Sequence, residues 1–294
     1  MSSLIELIKV LRDRTGAGMM DCKHALVECN SDVEKAIDWL REKGIAKQAK
    51  KASRIAAEGL SVIEIEGNRA CVVEVNCETD FVASSDPFKV LVTDIAKAAL
   101  ANDCKTVEEL KEAKTASGKT VAELFVDATV KLGEKLDLRR FVILTKNDDE
   151  VFGHYVHMKG KISAVTVVKG SEEIAKDLAM SAAANAPTYL SKEDVPAAEI
   201  ERERKLQEET VKEDASFAKK PEAIQKKILE GKVMKHFASQ VFLTQEFVKN
   251  PELTVEQALK EAKSTLVSFV RYQVGEGIEK RVDDFAKEVA EQMN

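Results

Sequence analysis

Apolar residues recur at helical spacing in the first part of the chain and at strand spacing further on, and the change of period divides it. Leu4, Leu7, Ile8 and Leu11 fall at i, i+3, i+4 and i+7, one face of a first helix. Thr15-Gly16-Ala17-Gly18 interrupts it, and Met19 to Cys29 predicts a second short helix with Met20, Ala25 and Leu26 available for packing. Ser31 and Glu34 have the spacing of a capping box for a third helix carrying Val33, Ile37, Trp39 and Leu40, and Gly44 suits its stop. Three short helices around one small core are expected. The Gly-Ala-Gly loop is not a phosphate loop, because no Gly-Lys-[Ser/Thr] follows it and no strand precedes it. Its glycines serve a tight turn.

Lys47-Gln48-Ala49-Lys50-Lys51-Ala52-Ser53-Arg54 is rich in Ala and Lys and reads as a linker, either a solvated connector or a basic contact for RNA. From Leu60 the period becomes that of strands. Val62 to Glu66, a Gly67-Asn68 turn and Cys71 to Val75 predict a hairpin. Within its second strand, Ala70 to Asn76, Val73 and Val75 share one face and Glu74 and Asn76 the other. Asp86 and Pro87 suit the cap and first position of a helix from Phe88 to about Ala101, with Val90, Leu91, Ile95 and Leu100 inward. A polar connection, a helix over Val121–Leu132 and a strand over Leu138–Leu144 complete a first half. The order then repeats. His154 to His157 leads through Lys159-Gly160-Lys161 into a strand over Ile162–Val168, and a helix follows from Glu172 to Asn185. Thr254 to Leu259 echoes Thr120 to Leu124, and Leu266 to Tyr272 echoes the strand at 138–144. Two related subdomains follow, each a small antiparallel sheet with helices on one face.

The halves differ in their middles. The second carries an insertion from Pro187 to about Leu253, mostly charged helix: Pro196 to Lys219, a break at Lys220-Pro221, then Glu222 to His236. Its sparse apolar positions (Ile200, Leu206, Val211, Ile224, Ile228 and Val233) predict a projecting antiparallel hairpin, a solvated spacer or an arm for a partner or second copy. After Val274-Gly275-Glu276-Gly277, Ile278, Val282, Phe285, Ala286 and Val289 stripe a last helix through Met293, which docks on its own domain or on a partner.

Thr79-Asp80-Phe81-Val82 lies where the first sheet hands over to a helix. Read from residue types alone, Asp80 caps a turn and Phe81 fills the core.

Charged residues are 33% of the 294 and the net charge is -6, a balance that repels a phosphate backbone. No apolar run approaches the ~20 residues of a membrane helix. The opening Met1-Ser2-Ser3-Leu4-Ile5-Glu6 lacks the form of a signal peptide. The cysteines, 22, 29, 71, 77 and 104, are odd in number and include no Cys-x-x-Cys, so buried thiols in a reducing cytoplasm are expected, with no metal. Asp80, His154 and His157 are acid–base candidates, yet no nucleophile motif, metal cluster or cofactor loop joins them, so no enzyme is expected.

Several strings together resemble the bacterial elongation factor Ts family, the guanine-nucleotide exchange factors of elongation factor Tu. They are Leu11 to Lys23, Glu34 to Gly44, Ala57-Glu58-Gly59, Asn76 to Ala83 with its Thr-Asp-Phe-Val-Ala, and Val274 to Lys280. One departure is Ile162-Ser163-Ala164-Val165, where the family usually has Ile-Gly-Val. The α+β organisation expected is a ubiquitin-associated-like three-helix bundle over 1–46 and a linker over 47–59. A core N-subdomain over 60–146 and a core C-subdomain over 147–274, with the hairpin at about 187–236, precede a C-terminal helical module over 275–294. The resemblance implies that Thr79, Asp80, Phe81 and Val82 contact the GTPase domain, with Phe81 inserted between its helices near the magnesium and phosphates. It implies partner contacts at Arg12, Met19 and Met20 of the bundle, at His157 and Lys161 toward the far domain of elongation factor Tu, and at Ile278. The hairpin is implied to serve self-association or further partner contact. No cofactor, membrane or direct nucleotide binding is expected. An RNA- or ribosome-binding adaptor using the basic linker is the alternative.

Overall fold

In a computed structural model, residues 3–212, 217 and 220–279 are described. They fall into two compact units, one drawn from the described residues of 3–145, 157–163 and 272–279, the other from those of 146–156 and 164–271.

The first unit begins with three helices, α1 (Leu4–Thr15), α2 (Met19–Glu28) and α3 (Val33–Lys51). Leu11, Ala17, Cys22, Ala25, Leu26, Ala36 and Leu40 form their core, with Leu7, Ile8, Val33, Ile37 and Trp39 packed at its edge. Three local expectations are corrected here. Met20 is exposed, because the packing face of α2 runs through Cys22, Ala25 and Leu26. Asp32, not Ser31, caps α3 by accepting from the Lys35 amide at 3.2 Å, and Glu34 pairs with Arg14 instead. The third helix does not stop at Gly44. It runs on through Lys51, so the first residues of the expected linker are helical. Gly44 is buried where α3 crosses a later helix; a Cβ there would come within 2.5 Å of Val130 Cγ2. Here glycine serves close packing, and the Ala/Lys run behind it carries good helix formers.

The first sheet has the order β1 (Glu58–Glu66), β2 (Arg69–Cys77), β3 (Leu136–Thr145), antiparallel throughout. Glu66 pairs with Arg69 across a two-residue turn, in which Gly67 takes φ +58°. After β2 come α4 (Asp80–Ser84), α5 (Asp86–Ala101), a short α6 (Val107–Glu112) in the expected polar connection, and α7 (Val121–Leu132). Cys71, Val73, Val75 and Cys77 face Phe88, Leu91, Val92 and Ile95 of α5 in one core. Asp86 is the first helical residue behind Ser85 rather than the cap. Val90, expected inward, is exposed and lines an open groove with Pro87, Leu124 and Ala128. The opposite face of β2, which carries Glu74 and Asn76, is buried as well: Ala70, Val72, Glu74 and Asn76 are all closed off.

The second unit repeats the plan. Its sheet has the order β4 (Val151–His157), β5 (Ile162–Lys169), β8 (Thr265–Gln273), the last numbered by its place in the chain. Helix α8 (Glu172–Asn185) follows β5, as expected from Glu172 to Asn185. The insertion supplies α9 (Ala197–Lys212) and α10 (Glu222–Phe237), which pack on each other, then a small ribbon of β6 (Glu246–Phe247) and β7 (Asn250–Thr254). Val195, Val233, Phe237 and Val241 give the insertion a small core of its own, while Leu206 and Ile224 are exposed. Residues 213–216 and 218–219, within the expected first arm, lie outside the described residues. Helix α11 (Val255–Glu261) opens on a capping box of Thr254 with Gln257, the counterpart of Thr120 with Glu123 on α7. The repeat therefore extends to the caps. The expected C-terminal helix with Val282, Phe285, Ala286 and Val289 lies outside the described residues.

Candidate partner-binding surface

Strand β2 ends at Cys77, and the chain turns at once into α4. Thr79 is its cap: the hydroxyl accepts from the Val82 amide at 3.2 Å and donates to Glu134 Oε1 at 2.6 Å. The other oxygen of Glu134 accepts from the backbone amides of Glu78 and Thr79, both at 3.0 Å. Glu78 in turn accepts from the Lys135 amide at 2.6 Å and pairs with Arg54 at 3.0 Å. Partial burial pushes the Glu78 carboxyl up, but the Lys135 amide and the Arg54 guanidinium outweigh it and hold the group below its ordinary value. Lys135 Nζ donates to the carbonyls of Ala52 and Arg54, both at 2.8 Å. Bonds from one turn, 134–135, thus fasten both the foot of α4 and the end of the bundle's connector.

On a helix, residues one apart are separated by about 100°, so when Val82 and Ala83 face inward, Phe81 must face away. Val82 and Ala83 are buried in the main core, and Phe81 is 84% exposed. The reading of Phe81 as a core residue is thereby overturned, and so is that of Asp80 as a cap, since Thr79 does the capping and Asp80 is the exposed first residue of α4.

Among the other expected residues, Arg12, Met19 and Met20 are exposed on the bundle, and Ile5, Val10 and Val27 are exposed apolar neighbours in sequence. His157 is exposed; its carbonyl accepts from the Gly160 and Lys161 amides at 3.2 Å, in a turn where Met158 and Lys159 take positive φ. Lys161 differs. It is half-buried, with Nζ 2.5 Å from Glu58 Oε2 and 3.4 Å from the Gly59 carbonyl. Glu58 lies opposite Cys77 in the sheet, so the Lys161 charge serves the strand end behind α4. Ser163, the departure from the usual Gly, is buried and donates to the Ser61 carbonyl at 2.8 Å. Ile278 is partly buried just after the Val274–Gly277 turn. Sequence reasoning missed Glu134, Lys135 and Glu58, because their partners lie 55 to 103 residues away in the chain.

In the basic stretch, Lys47 pairs with Asp21 at 3.0 Å, Lys51 donates to the Gly133 carbonyl, and Arg54 holds Glu78. These three cations are engaged within the chain.

Two sheet-and-helix repeats behind a helical bundle define the class as an α+β protein, whose first repeat holds the Phe81 ring in solvent on a braced foot. Compared with families of known proteins, residues 78–276 match the family described as Elongation factor TS, and the chain belongs to that family. Membership implies a nucleotide-exchange role toward elongation factor Tu, in protein biosynthesis. No helix among the described residues is long and apolar enough to cross a membrane.

Proposed function

We propose that this chain accelerates GDP release from elongation factor Tu by inserting Phe81 between helices of the GTPase domain, close to the magnesium and phosphates. The observation that carries the reading is the exposed ring of Phe81 on a helix whose opposite face is core and whose cap is tied to Glu134. Asp80, exposed beside it, supplies polar contacts. Arg12, Met19 and Met20 add a second grip from the bundle, and His157 and Ile278 further ones. A P-loop GTPase holds its nucleotide through backbone amides, a lysine and a bridging magnesium, so displacing the helices beside that site weakens several contacts together. By linkage, bound nucleotide weakens the factor's own binding by the same ratio. Loosening a nanomolar ligand to micromolar takes about 4 kcal/mol of differential interaction. One buried Phe contributes about 2 to 3 kcal/mol, which favours a grip shared among several elements over a lone wedge.

The test is release of fluorescent GDP from elongation factor Tu at fixed magnesium, with the wild-type chain and with Phe81→Ala. Faster release with the wild-type chain that is largely lost in the variant supports the reading. Equal stimulation by both would sink it.

A further inference from the structure

Glu74 is the one carboxylate on β2 that the first sheet encloses completely, at 0% exposure. Its Oε2 accepts from Arg140 Nε at 2.6 Å. Its Oε1 accepts from Arg139 Nη1 and from the Gly275 amide, both at 2.9 Å, and from Asn76 Nδ2 at 3.3 Å. Both arginines reach onward to the same turn. Arg139 donates to the Glu276 carbonyl, and Arg140 donates to the Gln273 carbonyl at 3.1 Å while stacking on Tyr272 at 4.2 Å. Gly275 has φ +73°, and a Cβ there would sit 2.2 Å from the Ala57 carbonyl oxygen, so the turn is seated closely against the start of β1. All these groups belong to the first unit.

A buried carboxylate is costly, and an apolar side chain such as that of Val72 on the same face would serve packing at least as well. What a carboxylate adds is direction. One oxygen takes the turn's amide, and the guanidiniums it holds take the turn's carbonyls. We infer that Glu74 is a positioning residue, whose carboxylate locks the Val274–Gly277 turn, and with it Ile278, to the strand that ends in the Phe81 helix. Glu74 lies three residues before the end of β2 at Cys77 and Thr79 two residues after it, so both contact elements are held in one register by a single strand. The inference rests on the proposed exchange reading for its consequence, though not for the lock itself.

The experiment compares the full-length wild type, Glu74→Gln, Arg140→Lys and Phe81→Ala by amide hydrogen exchange of the free proteins and by GDP release from elongation factor Tu over a range of factor concentrations. A hydrogen bond to a charged acceptor is worth about a factor of ten or more in local opening. Glu74→Gln should therefore speed exchange over 274–279 at least about tenfold while α5 is unchanged, because a Gln amide turns a donor toward Arg140. It should raise the factor concentration giving half-maximal release while leaving the maximal rate intact, whereas Phe81→Ala lowers the maximal rate. Arg140→Lys, which keeps the charge and the fold, should shift both readouts in the same direction by less. Unchanged exchange over 274–279 in Glu74→Gln overturns the lock. Faster exchange throughout, α5 included, in both lock variants makes Glu74 a general stability residue and also overturns the inference. Loosening confined to 274–279 without any change in half-saturation keeps the lock and overturns its positioning role. A Phe81→Ala protein that releases GDP as the wild type does would strike the exchange reading and leave the hydrogen-exchange result standing.

Discussion

Phe81 and Val82 are neighbours in sequence with opposite fates, one in solvent and one in the core. Their separation follows from a single helical step, so a substitution at 81 leaves packing untouched. Phe81→Ala is expected to melt within about 0.5 kcal/mol of wild type, as an exposed change should. Its stimulation of GDP release should fall by one to two orders of magnitude, matching the loss of about 2 to 3 kcal/mol of aromatic burial in the complex. Asp80→Ala should lose less, about 0.5 to 1.5 kcal/mol, the worth of one interface hydrogen bond. A larger loss at Asp80 than at Phe81, measured in the same release assay, would count against the wedge. At this scale residue types alone sent Phe81 inward, and it was the family resemblance, with its ring inserted into a partner, that pointed it outward as the structure has it. A lone Phe beside a Val carries no periodicity, and only the commitment of Val82 and Ala83 to the core turned the ring outward.

The element that matters is the five-residue α4, too short to be stable on its own and dependent on its cap and brace. Thr79→Ala removes both the bond to the Val82 amide and the bond to Glu134, and should cost about 1 kcal/mol of stability. Amide exchange at Val82 and Ala83 should rise while that of β2 stays low, and GDP release should weaken although Phe81 is intact. An unaltered Val82 amide would refute the capping role. The helices and strands with clear periodicity were legible beforehand: α7, α8 and strands β2, β3, β5 and β8 fall within a residue or two of expectation, while β1 and β4 begin four and three residues earlier than expected. The misjudged ends have one cause in common. Gly44 looks like a stop because glycine commonly ends helices, yet its lack of a side chain is used against Val130. Ser31 and Glu34 match a capping box, yet Asp32 stands one residue closer and Glu34 is drawn to Arg14 across the bundle.

Across the whole molecule, the internal repeat was readable because each half reuses the same order of periods and even the same threonine cap, Thr120 and Thr254. The thiols give this scale its own prediction. Burial pushes Cys71 and Cys77 up to about 12 from an ordinary 9.0. Folding therefore keeps protonated two thiols that the unfolded chain would ionise. Their contribution to stability is fully present below pH 9.0 and is lost as pH rises from there through about 12. The melting temperature should decline across that alkaline window, and Cys77→Ala should reduce the decline. A flat alkaline profile would contradict it.

Period, capping chemistry and the family strings sufficed to determine the α+β class, the two repeats and the helical bundle, since each depends on residues close together in the chain. What only the tertiary structure decided are the contacts made by distant partners. Glu134 and Lys135 brace the Phe81 helix, Lys161 is turned back onto Glu58, and Glu74 is enclosed on the strand face opposite Val73 and Val75. A two-residue period reports which face a side chain takes, not what later segment will cover that face, and here the cover comes from residues 157–163 and 272–278.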